Sequence, residues 1–172
     1  MREPRRRALA ILGTVLFLIA PATVAVLVPF WISRWRVQTP LLGLAVFRVI
    51  GALLAGAGVC ILLESYARFA LQGLGTPAPV FPTRRLVVTG LYRHVRNPIY
   101  LALVSMIIGQ GLVFGSPRVL AYGVFVWLAC HVFVVAHEEP ALRRTFGHEY
   151  ETFRANVPRW RPRMRPWRGD RV

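Results

Sequence analysis

Four apolar runs constrain this chain more than any other feature. They cover Ala8–Trp31, Leu41–Leu63, Pro98–Gly115 and Val119–Ala136. A helix needs roughly 20 mostly apolar residues to cross the hydrocarbon core of a bilayer, and all four runs lie in that range. The chain is 55% apolar and only 17% charged, as suits a protein whose solvent is largely lipid. We therefore expect a single all-α membrane domain, with about four transmembrane helices plus a C-terminal amphipathic interfacial helix.

Charge orients the runs. All 22 basic residues are arginine, which we read as a compositional bias. The formal charge of +15 raises the question of nucleic acid. Distribution argues against that partner, because the arginines cluster beside the apolar runs, as the positive-inside rule expects. Arg2, Arg5, Arg6 and Arg7 precede the first run, and Arg68, Arg84, Arg85, Arg93 and Arg96 lie between the second and third. Nine more arginines follow from Arg143 onward. The other two connections hold only Arg34 with Arg36, and Arg118. Both termini and the 64–97 loop are thus expected on the cytoplasmic side, in a bacterial cytoplasmic membrane. There the basic patches also face anionic lipid headgroups. A cleaved signal ending near Ala20-Pro21-Ala22 is the competing reading of the N-terminus, but apolarity continues to Trp31, too far for an ordinary signal. Cys60 and Cys130 lie in the second and fourth runs, with no metal or disulfide spacing.

Four segments divide the domain: two N-terminal spans (1–63), a loop (64–97), a C-terminal half that carries the polar chemistry (98–163) and a basic tail (164–172). The loop contains Gly73 to Pro79 and Phe81-Pro82, then Leu86-Val87-Val88 as a short extended piece. A connection this long in a small membrane protein suits part of a site or its lid. Pro140 fits the first turn of a new helix. Beyond it Leu142, Phe146, Tyr150, Phe153 and Val157 recur at helical spacing, which predicts an amphipathic helix on the interface or capping the bundle.

Two polar clusters flank the last two runs. The first runs from Gly90 to Tyr100 and the second contains His137-Glu138-Glu139-Pro140. Polar groups at membrane depth are costly and tend to be functional. Only seven acids exist, and Glu138 with Glu139 is the only adjacent pair. Side by side they call for a cation: a positively charged ligand, a metal or an arginine such as Arg93, Arg96 or Arg144. No familiar ligand spacing completes a metal site. His131 lies two turns deeper and is expected to bond a neighbouring helix. Arg48 and Glu64 are 16 residues apart, roughly 24 Å along a helix, so they do not pair directly. Asn97 is placed to cap the third span. Gly109, Gly111 and Gly115 favour close helix packing, with close approach of a ligand as the alternative.

Taken together, Gly75-Thr76-Pro77, Gly90-x-Tyr92-Arg93, Arg96-x-Pro98-x-Tyr100, Glu138-Glu139, Leu142, Phe146-Gly147-x-Glu149-Tyr150 and Val157-Pro158-Arg159 resemble the isoprenylcysteine carboxyl methyltransferase superfamily. That superfamily includes the phospholipid methyltransferases. The resemblance implies a membrane methyltransferase that uses S-adenosylmethionine and acts on a lipophilic small molecule or a lipidated substrate. By the same resemblance, Arg96, Asn97, Pro98, Tyr100, Glu138 and Glu139 would line the cofactor pocket, and Tyr92, Arg144 and Tyr150 complete the candidate cofactor-binding set. Arg96 and Glu138 are the candidates for catalysis. A carboxylate pair suits the cofactor's cationic groups, and Arg96 or Arg144 suits its carboxylate. One position departs from the pattern: Asn97 stands where histidine is commoner, and asparagine carries no proton at neutral pH. Two other classes compete, an NADPH-dependent membrane reductase of related fold and a non-catalytic membrane protein. No Gly-rich nucleotide fingerprint follows a predicted strand, so a Rossmann domain is not expected.

Overall fold

The computed structural model describes residues 19–71 and 86–169. Residues 8–18 of the first predicted span, the N-terminal arginines and the Gly73–Pro82 stretch lie outside the described residues.

The described residues form helices and no strand. We label the helices α1 (Ile19–Ser33), α2 (Val46–Leu71), α3 (Pro98–Phe114), α4 (Pro117–Phe133) and α5 (Glu139–Asn156). A π-turn at Val134–Glu138 joins α4 to α5 without a break. The expected helix start at Pro140 is therefore a point inside one long helix. That helix, Pro117–Asn156, has 40 residues and is kinked at Gly147, where φ is 49° and ψ −120°. The stretch from Pro117 to Phe146 alone runs roughly 45 Å at 1.5 Å per residue, longer than the roughly 30 Å hydrocarbon core of a bilayer. The apolar part, which ends at Ala136, supplies the span, and the polar remainder emerges from it.

Each π-turn ends two residues before a proline. Thr23–Leu27 precedes Pro29, and Val134–Glu138 precedes Pro140. Proline lacks an N–H and its ring crowds the carbonyl four residues back. A wider π-turn relieves that crowding. At Pro29 the carbonyl left without its donor is Ala25 O, which accepts from Gln110 Nε2 of α3 at 2.6 Å. The neighbouring Val24 O accepts from Tyr122 of α4 at 3.1 Å. Two half-buried side-chain donors thus replace what the backbone lost.

Small residues set the closest helix pair. α2 and α3 share the most extensive contact of any two elements. A Cβ at Gly51 would sit 2.6 Å from Gly109 O, and one at Gly58 would sit 2.7 Å from Ala102 O. Gly109 and Gly111 are therefore packing residues, the latter against Leu120 of α4. Gly115 ends α3 in the left-handed region at φ 65° and turns the chain directly into α4. Ser116 Oγ then caps α4 by accepting from Val119 N at 3.4 Å. Ala25, Leu103, Ile107, Val119 and Val126 form the bundle core. Val49, Leu53 and Leu63 of α2 and Phe125, Leu128 and Val132 of α4 stay exposed, as a lipid-facing surface requires.

A second core lies beneath the bundle. The predicted apolar stripe of α5 is the inward one: Tyr150 and Phe153 are buried with Val157, packed by Leu142, Phe146, Leu86, Val88 and Trp167. Trp167 belongs to the segment read as a tail. Its described residues, 164–169, are held to the first polar cluster, with Trp167 N bonded to Arg93 O at 2.9 Å just after Arg163 N bonds His94 O at 3.0 Å. It folds back because Trp160 and Trp167 bury rings against α4 and α5. His131 finds its partner there too, accepting at Nδ1 from Trp160 Nε1 at 3.0 Å. Far from this end, Arg48 donates to Gln38 O at 2.8 Å.

Candidate active site

The site forms where the Gly90–Pro98 segment meets the start of α5 and the returning strap, Val157–Gly169. Backbone bonds fix the relation: Arg96 N donates to Pro158 O at 3.0 Å, alongside the Arg163 and Trp167 contacts already given. Side chains add to it. Arg93 Nε donates to Trp167 O at 2.6 Å and His94 Nδ1 to Arg163 O at 2.8 Å. Asn97 is the N-cap of α3 by position, yet its side chain makes no capping bond. Its Nδ2 donates instead to Arg159 O at 3.3 Å. The amide N–H of this buried side chain is spent on the strap instead.

The adjacent glutamates have different surroundings. Glu139 is buried and receives Arg159 in two-pronged fashion, Nε to Oε1 at 2.6 Å and Nη2 to Oε2 at 2.9 Å. Arg96 Nη1 also reaches its Oε1 at 2.9 Å. Burial would raise this carboxyl, but the hydrogen bonds and charges of Arg159 and Arg96 outweigh it and hold the group below its ordinary range. Glu138 accepts from the Tyr100 hydroxyl at 3.1 Å, and no arginine among the described residues pairs with it. Burial pushes its carboxyl up, the Tyr100 bond opposes, and the charge of Glu139 adds to the rise.

Arg96 is the hinge between the clusters. Its side chain is only 9% exposed, and the same Nη1 that meets Glu139 also donates to Tyr150 OH at 3.1 Å. Its Nε–H is buried and has no partner among the described residues. An unpartnered buried donor on a cation costs on the order of 1–3 kcal/mol, so the position favours an anionic guest. Tyr92 completes the surroundings of Glu138. Burial pushes its phenol upward, and the charges of Glu138 and Glu64 push the same way.

Of the residues singled out from sequence, Tyr92, Arg96, Asn97, Tyr100, Glu138, Glu139 and Tyr150 gather around these contacts. Pro98 and Arg144 do not: Pro98 lines an apolar groove on another face of α3, and Arg144 is exposed on α5. Two contributors were missed. Arg159 supplies the strongest grip on Glu139, and its signal was present in Val157-Pro158-Arg159. Glu64 approaches Tyr92 from α2. An acid at the end of an apolar run is itself a functional signal.

Residues 46–149 match the family model described as phospholipid methyltransferase. That is more than half of the chain and includes both clusters. The chain belongs to the phospholipid methyltransferase family. No curated protein and no solved structure matches it. Membership in this family of integral membrane enzymes implies methyltransferase activity on a membrane substrate.

Proposed function

We propose that this methyltransferase moves a methyl group from S-adenosylmethionine to a nucleophile on a lipophilic acceptor at the cytoplasmic face of the membrane. The observation that carries the reading is the contrast between the two glutamates. Glu139 is neutralised by two guanidinium groups. Glu138, one residue away, is buried against Tyr100 with no cation among the described residues. A buried carboxylate of that kind favours a cationic ligand, and Arg96 Nε–H, close by, favours an anionic one. S-adenosylmethionine has both poles, an ammonium and sulfonium against a carboxylate. A polyanionic dinucleotide such as NADPH fits Glu138 poorly.

When bound, the cofactor supplies an electrophilic methyl group on its sulfonium, open to in-line displacement. The protein's part is positioning and exclusion of water. Tyr100 orients Glu138 through its hydroxyl, and the Glu139–Arg159 pair holds the start of α5 against the strap. An amine acceptor must first lose a proton, and Glu138 or His94 takes it. Glu139 is held ionised by its arginines and is the poorer base, whereas His94, which donates from Nδ1 to Arg163 O, keeps Nε2 as an acceptor. A carboxylate acceptor needs no base.

Calorimetric titration of the purified protein, first with S-adenosylmethionine and then with NADPH, tests the assignment. Saturable binding of the first alone is expected. Binding of NADPH alone by a folded sample overturns it. Incubation with lipid extracts and methyl-labelled cofactor then identifies the acceptor.

A further inference from the structure

A half-open groove of about 180 Å³ lies between α2, the Gly90–Arg93 turn, α3 and the strap. Its walls include Ile61, Leu91, Val95, Leu101 and Pro162, with His94 at the side. Pro98 and Leu101 line it three residues apart on one face of α3, whereas Tyr100 leaves the helix in a different direction. The groove therefore opens away from the Tyr100–Glu138 contact. It is smaller than the 300–1,000 Å³ usual for a pocket enclosing a small molecule, and its lining offers almost nothing to a polar headgroup. A stretch of hydrocarbon chain fits both facts.

The strap places charge beside this apolar slot. From Val157 to Gly169 it contains five arginines and no acid. Arg159 and Arg163 are spent on Glu139 and on Asn156 O. Arg161, next to Pro162 of the groove wall, is exposed, as are Arg165 and Arg168. Met164 between them is 96% exposed. Apolar helices pass into an arginine-rich surface at this level, which is where a bilayer places phosphate above acyl chain.

We propose that the groove and the strap together bind one anionic phospholipid, its acyl chain against Ile61 and Leu101 and its phosphate at Arg161 and Arg165. The site is separate from the methyl-transfer site. Because the same strap delivers Arg159 to Glu139, the lipid also braces the active-site floor.

Native mass spectrometry of the full chain in mild detergent, titrated with phosphatidylglycerol or with phosphatidylcholine of the same acyl chains, tests this. One saturable phosphatidylglycerol is expected, retained at least tenfold more tightly than phosphatidylcholine. Near a membrane surface each arginine contributes roughly fivefold to anionic-lipid affinity. The exposed pair Arg161→Glu with Arg165→Glu should therefore remove the preference while the protein stays folded, and Ile61→Trp, which fills the slot, should weaken both lipids. Equal retention of the two lipids by the wild type overturns the proposal. So does undiminished phosphatidylglycerol binding by the double variant, or non-saturating binding of many copies.

Discussion

Arg159 grips Glu139 through two parallel contacts, Nε to Oε1 at 2.6 Å and Nη2 to Oε2 at 2.9 Å. This pair joins the first residue of α5 to the strap that returns beneath the bundle. The two-pronged geometry is the strong form of a guanidinium–carboxylate contact. With Arg96 on the same oxygen it turns Glu139 into a structural anchor and leaves Glu138, which no arginine among the described residues pairs, as the carboxylate proposed to meet the cofactor.

The pair makes stability acid-sensitive in a definite direction. Burial would raise the Glu139 carboxyl, but Arg159 and Arg96 hold it below its ordinary value near 4.5. A lowered folded-state pKa contributes stability that is fully present above the unfolded value and is lost as pH falls through the folded one. The thermal midpoint in detergent should hold steady near neutrality and drop below about pH 4.5. Glu139→Gln should flatten that acid limb. Identical acid limbs in the two proteins would show that other groups control it.

Neutralising each glutamate should separate binding from stability. Glu139→Gln breaks a buried pair and is expected to cost about 3 kcal/mol of stability. Glu138→Gln should unfold near the wild-type temperature. It should still bind S-adenosylmethionine at least about tenfold more weakly, the scale of one charged hydrogen bond. Thermal unfolding and calorimetry on the same preparations check both. Unchanged cofactor affinity in Glu138→Gln would remove Glu138 from the site.

The α2–α3 contact leaves no room for a side chain at Gly109. A Cβ there would lie 2.6 Å from Gly51 O. Gly109→Leu must separate the helices along their closest approach, at a cost of about 1–3 kcal/mol or more. Gly56, with open space around its Cβ position, is the control: Gly56→Ala should be tolerated. Equal behaviour of the two variants would refute the packing account.

Pro29 and Gln110 should be energetically coupled. Gln110 Nε2 donates to Ala25 O, the carbonyl that Pro29 cannot serve. Gln110→Leu leaves that oxygen without its donor and should cost about 1 kcal/mol, as for interhelical hydrogen bonds in membranes. Pro29→Ala supplies a backbone N–H, so the same Gln110 substitution should be cheaper in that background. Additive effects in the double variant would rule out the substitution of one donor for the other.

Much of this architecture was readable from residue order. Long apolar runs end where polar residues begin, so α3 and α4 fall close to the predicted third and fourth runs, whereas α2 continues past Leu63 to Leu71, into residues read as loop. The period of Leu142, Phe146, Tyr150, Phe153 and Val157 marked the buried stripe of α5. The polar clusters themselves were visible because Tyr92, Arg96, Glu138 and Glu139 interrupt or border apolar sequence. Asn97 looked like a cap because local spacing allows it. Its real partner, Arg159 O, is 62 residues away, and no local pattern reports such a contact. Pro140 looked like a boundary for a similar reason: proline usually ends or starts a helix, and only the preceding π-turn lets this helix continue through it.

By itself, the sequence determined that this chain lives in a membrane, where its helices fall and which residues can carry charge at their ends, because those properties follow from local apolarity and period. Which glutamate meets arginine and which meets a phenol was decided only in three dimensions. Glu138 and Glu139 are the same residue type at adjacent positions, and their surroundings diverge because the strap returns Arg159 to one and α3 brings Tyr100 to the other. Long-range placement of a counter-charge sets the chemistry of a buried carboxylate, and that placement belongs to the tertiary fold.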